Sequence, residues 1–243
     1  LGVVALAALM SVGAAACGAP DTGAGTPNMS NDTSVADRGA SNGAVSAGAA
    51  ELPRVVMFGT SLTAGLGIDP DSAWPAVVQR MADSAGVRVR IDNAGLSGET
   101  SAGALRRVEW VLRDPVQLVV LEVGANDGLR GVNPDTTRET LVAVIERVQA
   151  LQPNARVLLV AMEAPPNLGA EYTASFRRAY TEAARRTGVP LLPFLLEGVA
   201  GERALNQADG IHPNEEGARR VARNLWTGLE AELRGVEQGR GPG

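Results

Sequence analysis

From Leu52 onward the chain alternates short apolar runs with longer segments of helical period, and this alternation restricts the fold more than any single residue does. RVVMFG, VRVRIDNAG, VQLVVLEVG, ARVLLVAM and VPLLPF read as strands, rich in β-branched and aliphatic residues and bounded by turn formers. Between them SAWPAVVQRMADSAG, SAGALRRVEWVLRD, DTTRETLVAVIERVQAL and EYTASFRRAYTEAARRTG carry apolar residues at helical spacing. NEEGARRVARNLWTGLEAEL closes the pattern with Val221, Leu225 and Leu229 on one face. Gly86 stands where a helix would stop, while Asp135 and Asn214 stand where two others would be capped. Strands alternating with helices of this length predict an α/β domain. It is a three-layer α/β/α sandwich around a central parallel sheet of about five strands, with VQLVVLEVG at its centre. In such sheets the sites form beyond the carboxyl ends of the strands. The segments after the first, second, third and fifth strands are therefore expected to share one crevice.

Those segments carry a consistent chemistry. Gly59-Thr60-Ser61-Leu62 follows the first strand, NAGLSGETS with Gly95 and Gly98 the second, and GAND, Gly124 to Asp127, the third. ADGIHPN, with Asp209 and His212, precedes the last helix. Serine is a weak nucleophile until a base takes its proton, and an imidazole needs a partner that fixes its tautomer. Ser61, His212 and Asp209 meet those needs. The backbone N–H groups of Ser61 and Gly98 and the side-chain amide of Asn126 could face a developing oxyanion. Each residue alone also has a structural reading: Ser61 as a helix cap, Gly98 as a positive-φ turn, Asn126 in an Asx-turn and Asp209-Gly210 as a tight turn. Their convergence on one sheet edge favours acyl transfer.

Composition narrows the alternatives. His212 is the only histidine of the 243 residues, so any imidazole chemistry must use it and a multi-histidine zinc site is excluded. All the basic residues are arginine, which removes the phosphate-loop lysine, Schiff bases and Ser–Lys dyads. A formal charge of −5 and 3% aromatic content give no footprint for nucleic acid. No metal or organic cofactor is called for.

The first fifty residues read differently. Residues 1–17, LGVVALAALMSVGAAAC, resemble the apolar part of a secretory signal, with small residues before Cys17. AAAC, Ala14 to Cys17, is open to two readings: A-x-A cleavage on the small residues Ala14 and Ala16 with Cys17 incidental, or a lipobox that makes Cys17 the lipidated first residue of a membrane-attached lipoprotein. Residues 18–51 are rich in Gly, Ala, Ser, Asn, Asp and Thr without apolar periodicity and are expected to be a disordered tether, which favours the lipobox. An exported protein of a bacterial cell envelope is the expected setting, with soluble secretion as the alternative. GASNG, Gly39 to Gly43, matches a nucleophile elbow in letters only, because neither a strand nor a helix flanks it. The folded domain is expected over 52–235 and a flexible tail over 236–243.

With these blocks in order, the chain resembles the SGNH or GDSL-type hydrolases, whose four blocks supply Ser, Gly, Asn and His. GTSLTAGLG, GLSGETS, GAND and DGIHPN are similar to the four blocks, and SAWPA, NDGLRG and PLLPF to the multifunctional thioesterase I/lysophospholipase/arylesterase subgroup. The resemblance implies Ser61 as nucleophile, His212 and Asp209 as the rest of a triad, and Ser61, Gly98 and Asn126 as oxyanion donors. It implies hydrolysis of short- to medium-chain carboxylic esters, extending to thioesters or lysophospholipids. Hydrolysis of sugar or cell-wall O-acetyl groups is an alternative, and a non-catalytic surface binding module a second. The chain departs from the family at Thr60, where the name-giving Asp is expected.

Overall fold

The five apolar runs form β1 (Arg54–Gly59), β2 (Arg90–Gly95), β3 (Leu118–Glu122), β4 (Arg156–Ala161) and β5 (Leu191–Phe194). The structure is a computed structural model that describes residues 51–241. The expectations for the signal, for Cys17 and for the tether up to residue 50 lie outside the described residues. All strand pairs are parallel, in the order β2-β1-β3-β4-β5. Every residue of β3 is buried, as its unbroken apolar run requires of a strand covered on both faces. β2 lies at one edge and is only partly covered, and it starts at Arg90 rather than at Val87 as the alternation suggested. Val87 and Val89 are nevertheless buried, packing into the core from the connection that leads into the strand.

The helices are α1 (Ser61–Ala64), α2 (Trp74–Ser84), α3 (Ser101–Val111), α4 (Ala125–Leu129), α5 (Pro134–Leu151), α6 (Ala170–Thr187) and α7 (Glu215–Glu237). The strand order reverses direction after β2. Right-handed crossovers therefore put α2 on one face, where it packs with α7, and α3, α5 and α6 side by side on the other. This is the expected three-layer sandwich. Asn214 caps α7 by accepting the N–H of Gly217 at 3.0 Å. The cap of α5 is Asn133 rather than Asp135: its Oδ1 accepts the Asp135 N–H at 2.8 Å, and Pro134 takes the first helical position. Asp135 instead sits in the first turn, where a negative charge suits the helix dipole, and pairs with Arg138. α7 continues to Glu237 and buries Val236. No helix among the described residues is long and apolar enough to cross a membrane.

Three strands end at one level. Gly59 of β1 pairs with Gly95 of β2 on one side and with Glu122 of β3 on the other. The chain after Gly59 folds back over these ends, and it does so at close range. A β-carbon at Gly95 would collide with the backbone nitrogen of Ala64 and lie 2.8 Å from the Thr60 carbonyl. One at Gly59 would collide with Thr63 Oγ1 and lie 2.6 Å from Glu122 Oε2. Glu122 is fully buried at the end of the central strand. Its Oε2 accepts the Thr60 N–H at 2.9 Å and the Thr63 hydroxyl at 2.8 Å, while its Oε1 lies 3.0 Å from Thr60 Oγ1. Burial pushes the carboxyl from 4.5 up to about 7, although these hydrogen bonds pull it back toward the charged form.

Two stability measurements follow from this layer. Gly95→Ala is expected to cost about 1–3 kcal/mol in urea unfolding, because the atom in the way belongs to the backbone and cannot swing aside. For Glu122 the folded chain keeps its proton where the unfolded chain has released it. The group's contribution is therefore full below about pH 4.5 and is lost as pH rises to about 7. Relative to Glu122→Gln, the wild type is expected to lose about 3 kcal/mol over that window and to show no further difference in slope above it. Unfolding curves for both proteins across pH 4–8 measure it.

Candidate active site

Thr60 turns the chain out of β1 into α1 and caps it, its Oγ1 accepting from the Leu62 N–H at 3.5 Å. Ser61 is thereby fixed at the first helical position at the carboxyl edge of the sheet, 7% exposed. It lies beside the point where the strand order reverses, the place where open α/β sheets bind ligands. Gly65, at φ +72°, ends the turn and sends the chain away.

The Asp209-Gly210 turn is built around one carboxylate. Asp209 Oδ1 accepts the N–H groups of Ile211 at 2.9 Å and His212 at 3.0 Å, with Gly210 at φ +70°. Asp209 Oδ2 lies 2.6 Å from His212 Nδ1, and His212 Nε2 lies 2.9 Å from Ser61 Oγ. Facing a carboxylate, Nδ1 carries the ring proton, which leaves the Nε2 lone pair directed at the serine hydroxyl. The His212 ring and the two backbone N–H groups hold the Asp209 carboxyl at about 2, below its ordinary 3.8. It is therefore ionised across the neutral and mildly acidic range. The three residues singled out from the sequence form one continuous hydrogen-bonded chain, able to deprotonate the serine and to stabilise the imidazolium that results.

Gly98 and Asn126 also reach this edge. Asn126 sits in α4, and its amide Nδ2 donates to the Glu99 carbonyl at 3.0 Å, which leaves its second amide hydrogen available. Gly98 has φ +76°, a backbone region that side chains with a β-carbon avoid, and its carbonyl accepts from Arg130 Nη2 at 2.9 Å. Among the described residues no backbone acceptor takes up the N–H of Ser61 or of Gly98. The glycine loop and the asparagine loop are joined by Ser101, whose N–H and hydroxyl donate to the Asp127 carboxylate at 2.7 and 2.6 Å.

Three supporting side chains escaped the sequence reading. Arg107 donates through Nε to both oxygens of Glu99, at 2.7 and 2.8 Å. Through Nη2 it reaches the carbonyls of Gly59 at 3.1 Å and Ala94 at 2.9 Å, and its guanidinium lies 4.2 Å above the Phe58 ring centre. One cation thus ties the ends of β1 and β2 to the loop that carries Gly98. Gln207 Nε2 donates to the carbonyls of Leu66 at 2.7 Å and Pro213 at 3.0 Å, which fastens the histidine loop to the segment after α1. Glu122 is the third, and it had a visible signal: a lone carboxylate inside the most apolar run of the chain.

A cavity of about 370 Å³ opens beside Ser61. Its walls include Leu62, Leu129, Met162, Pro165, Phe194 and Ile211, and Asn126 stands with Ser61 at its polar end. Ala164, Pro165 and Pro166, in the segment after β4, form part of the rim. The site thus joins a hydroxyl–imidazole–carboxylate chain to an apolar groove.

Comparison with known proteins agrees with this geometry. Residues 57–220 match the model of the GDSL-like lipase/acylhydrolase family. The chain is 38% identical over 180 residues to Esterase TesA of Pseudomonas aeruginosa, covering 74% of this chain and 89% of the relative. It is 37% identical over 169 residues to the thioesterase 1/protease 1/lysophospholipase L1 of Escherichia coli K12, covering 69% and 79% respectively. A crystal structure of TesA superposes with a TM-score of 0.70 at 38% identity, over 74% of this chain and 99% of that one. The chain belongs to the GDSL-like lipase/acylhydrolase family, in its TesA/thioesterase I/arylesterase-like subgroup, and is a carboxylic ester hydrolase.

Proposed function

We propose that Ser61 is the nucleophile of a two-step ester hydrolysis in which His212 is the general base and acid and Asp209 orients it. The observation that carries this reading is the unbroken chain Asp209 Oδ2–His212 Nδ1, His212 Nε2–Ser61 Oγ, ending at an apolar groove. Ser61 Oγ attacks the ester carbonyl carbon as its proton passes to His212 Nε2. The oxyanion that forms is met by the N–H groups of Ser61 and Gly98 and the free amide hydrogen of Asn126. The tetrahedral species collapses, the C–O bond to the alcohol breaks, and His212 returns the proton to the leaving oxygen. Water then attacks the acyl-enzyme by the same route and frees the acid.

The substrates are acyl esters of short to medium chain, with the acyl group in the groove lined by Leu62, Met162, Pro165 and Phe194. Thioesters and lysophospholipids present the same carbonyl and acyl chain, and the name of the Escherichia coli relative supports their inclusion. Each methylene that enters the groove is worth about 0.8 kcal/mol. We also propose, on the sequence of residues 1–17 and 18–51 alone, that the enzyme is exported and held at a membrane by acylated Cys17.

Four outcomes test these assignments. A fluorophosphonate is expected to label wild type at Ser61 and to leave Ser61→Ala unlabelled and inactive. His212→Ala is expected to lower kcat by at least about 10³-fold with the fold intact by circular dichroism, since no second histidine can replace it. With p-nitrophenyl esters of increasing length, kcat/KM is expected to rise up to about fourfold per added methylene until the groove is full. A preference for acetylated sugars over octanoyl esters would overturn the acyl-groove reading. Intact-mass measurement of membrane-extracted protein is expected to find a diacylglyceryl-modified Cys17, and an unmodified soluble product would refute the anchor.

A further inference from the structure

Glu122 takes no part in the chemistry proposed for Ser61, yet its hydrogen bonds bracket that residue. Its carboxyl accepts the N–H of Thr60, the residue before Ser61, at 2.9 Å, and the hydroxyl of Thr63, two residues after it, at 2.8 Å. The Thr60 hydroxyl lies 3.0 and 3.1 Å from its two oxygens and itself accepts from the Leu62 N–H. The carboxyl and both threonines are completely buried, so these contacts are made without competition from water. The seat is shaped for this group: a β-carbon at Gly59 would occupy the space shared by Thr63 Oγ1 and Glu122 Oε2. On the opposite flank α1 rests on β2, where Asn93 Nδ2 donates to the Thr63 carbonyl at 2.8 Å. One side chain rooted in the central strand therefore sets the height and rotation of the turn that carries Ser61.

We propose that Glu122 is a positioning residue for Ser61, acting through Thr60 and Thr63 to hold the Ser61 N–H and hydroxyl where attack and oxyanion binding require them. The inference rests on Ser61 being the nucleophile. Glu122 touches no substrate, and its effect is geometric. Displacement of a reacting group by about 1 Å can cost about 10²-fold in rate. Thr60, the chain's departure from its family pattern, has a defined task here: its hydroxyl links the carboxyl to the Leu62 N–H in the first turn of α1.

The test compares kcat per active site, counted by fluorophosphonate titration, with KM for a medium-chain p-nitrophenyl ester. The proteins are wild type, Glu122→Gln, Thr60→Val, Thr60→Ser and the double variant Glu122→Gln/Thr60→Val. Glu122→Gln and Thr60→Val are each expected to lower kcat per titrated site about 10- to 100-fold with KM within about threefold of wild type. The double variant is expected to be no slower than the slower single variant, and Thr60→Ser, which keeps the hydroxyl, to stay within about threefold of wild type. A purely structural role would lower the melting temperature and the titratable fraction but leave kcat per site unchanged. That result, or losses that simply multiply in the double variant, overturns the proposal. Thr60→Val alone decides the matter if Glu122→Gln does not fold. A wild type that reacts with the probe elsewhere than Ser61 overturns the nucleophile assignment and the positioning role with it, whereas labelled wild type with unaffected variants overturns the positioning role alone.

Discussion

Gly59 pairs with Gly95 on one side and Glu122 on the other, and at this level of the parallel sheet the chain changes from scaffold to site. The two glycines let the segment Thr60–Ala64 lie directly on the strand ends, with the Leu96 N–H bonding back to the Gly59 carbonyl at 2.9 Å. Arg107 then draws the carbonyls of Gly59 and Ala94 together. Ser61 owes its place to this layer: it is fixed from below by a strand end and a buried carboxyl and from the side by a cation. The histidine loop arrives from the far end of the chain and is fastened to the serine segment through Gln207.

Two carboxyls near Ser61 illustrate how environment divides labour. Asp209 is substantially solvent-exposed, bonded to two backbone N–H groups and an imidazole, and is held at about 2. Glu122 is sealed from solvent, bonded to one N–H and two hydroxyls, and is pushed to about 7. Burial favours the neutral form, and donors favour the charged one, so the balance differs although both groups accept several hydrogen bonds. Only Asp209 has its charge aimed at the imidazole. Glu122 spends its acceptors on backbone and threonine hydroxyls, which suits a brace and not a proton carrier.

Much of this was legible in the sequence because it followed from local rules. Alternating strand and helix periods gave the layers, and the rule for parallel sheets turned the loops holding Ser61, Gly98, Asn126, Asp209 and His212 into one crevice. The short Asp209–His212 separation made their pairing readable, since a three-residue turn brings both to one side. What escaped was set by contacts between distant segments. Arg107 looked like one more arginine on a helix, and its role appears only when β1, β2 and the glycine loop are in place around it. Gln207 bonds to Leu66, a residue far away in the chain, so no local pattern could mark it. The cap of α5 failed for a different reason: Asn133 and Asp135 are both good caps, and Pro134 between them, best placed at the first helical position, decides in favour of Asn133.

Thr60 is where the departure from the family pattern and the buried carboxyl meet. An aspartate at this position would set a second carboxyl against Glu122 in a space closed to water. Two like charges in such a space cannot both ionise, so the pair would have to share a proton. A threonine removes that coupling. It offers a donor to Glu122, accepts from the Leu62 N–H, and carries no charge of its own. The carboxyl then titrates as a single group whose partners are hydroxyls and one backbone N–H. Without the name-giving acid the cap on α1 is still in place, and Glu122 is the one carboxyl that holds this turn. The hydrogen-bonded chain from Asp209 through His212 to Ser61 makes no bond to the side chain of residue 60, so the residue at this position can reach that chain only through the turn that carries Ser61.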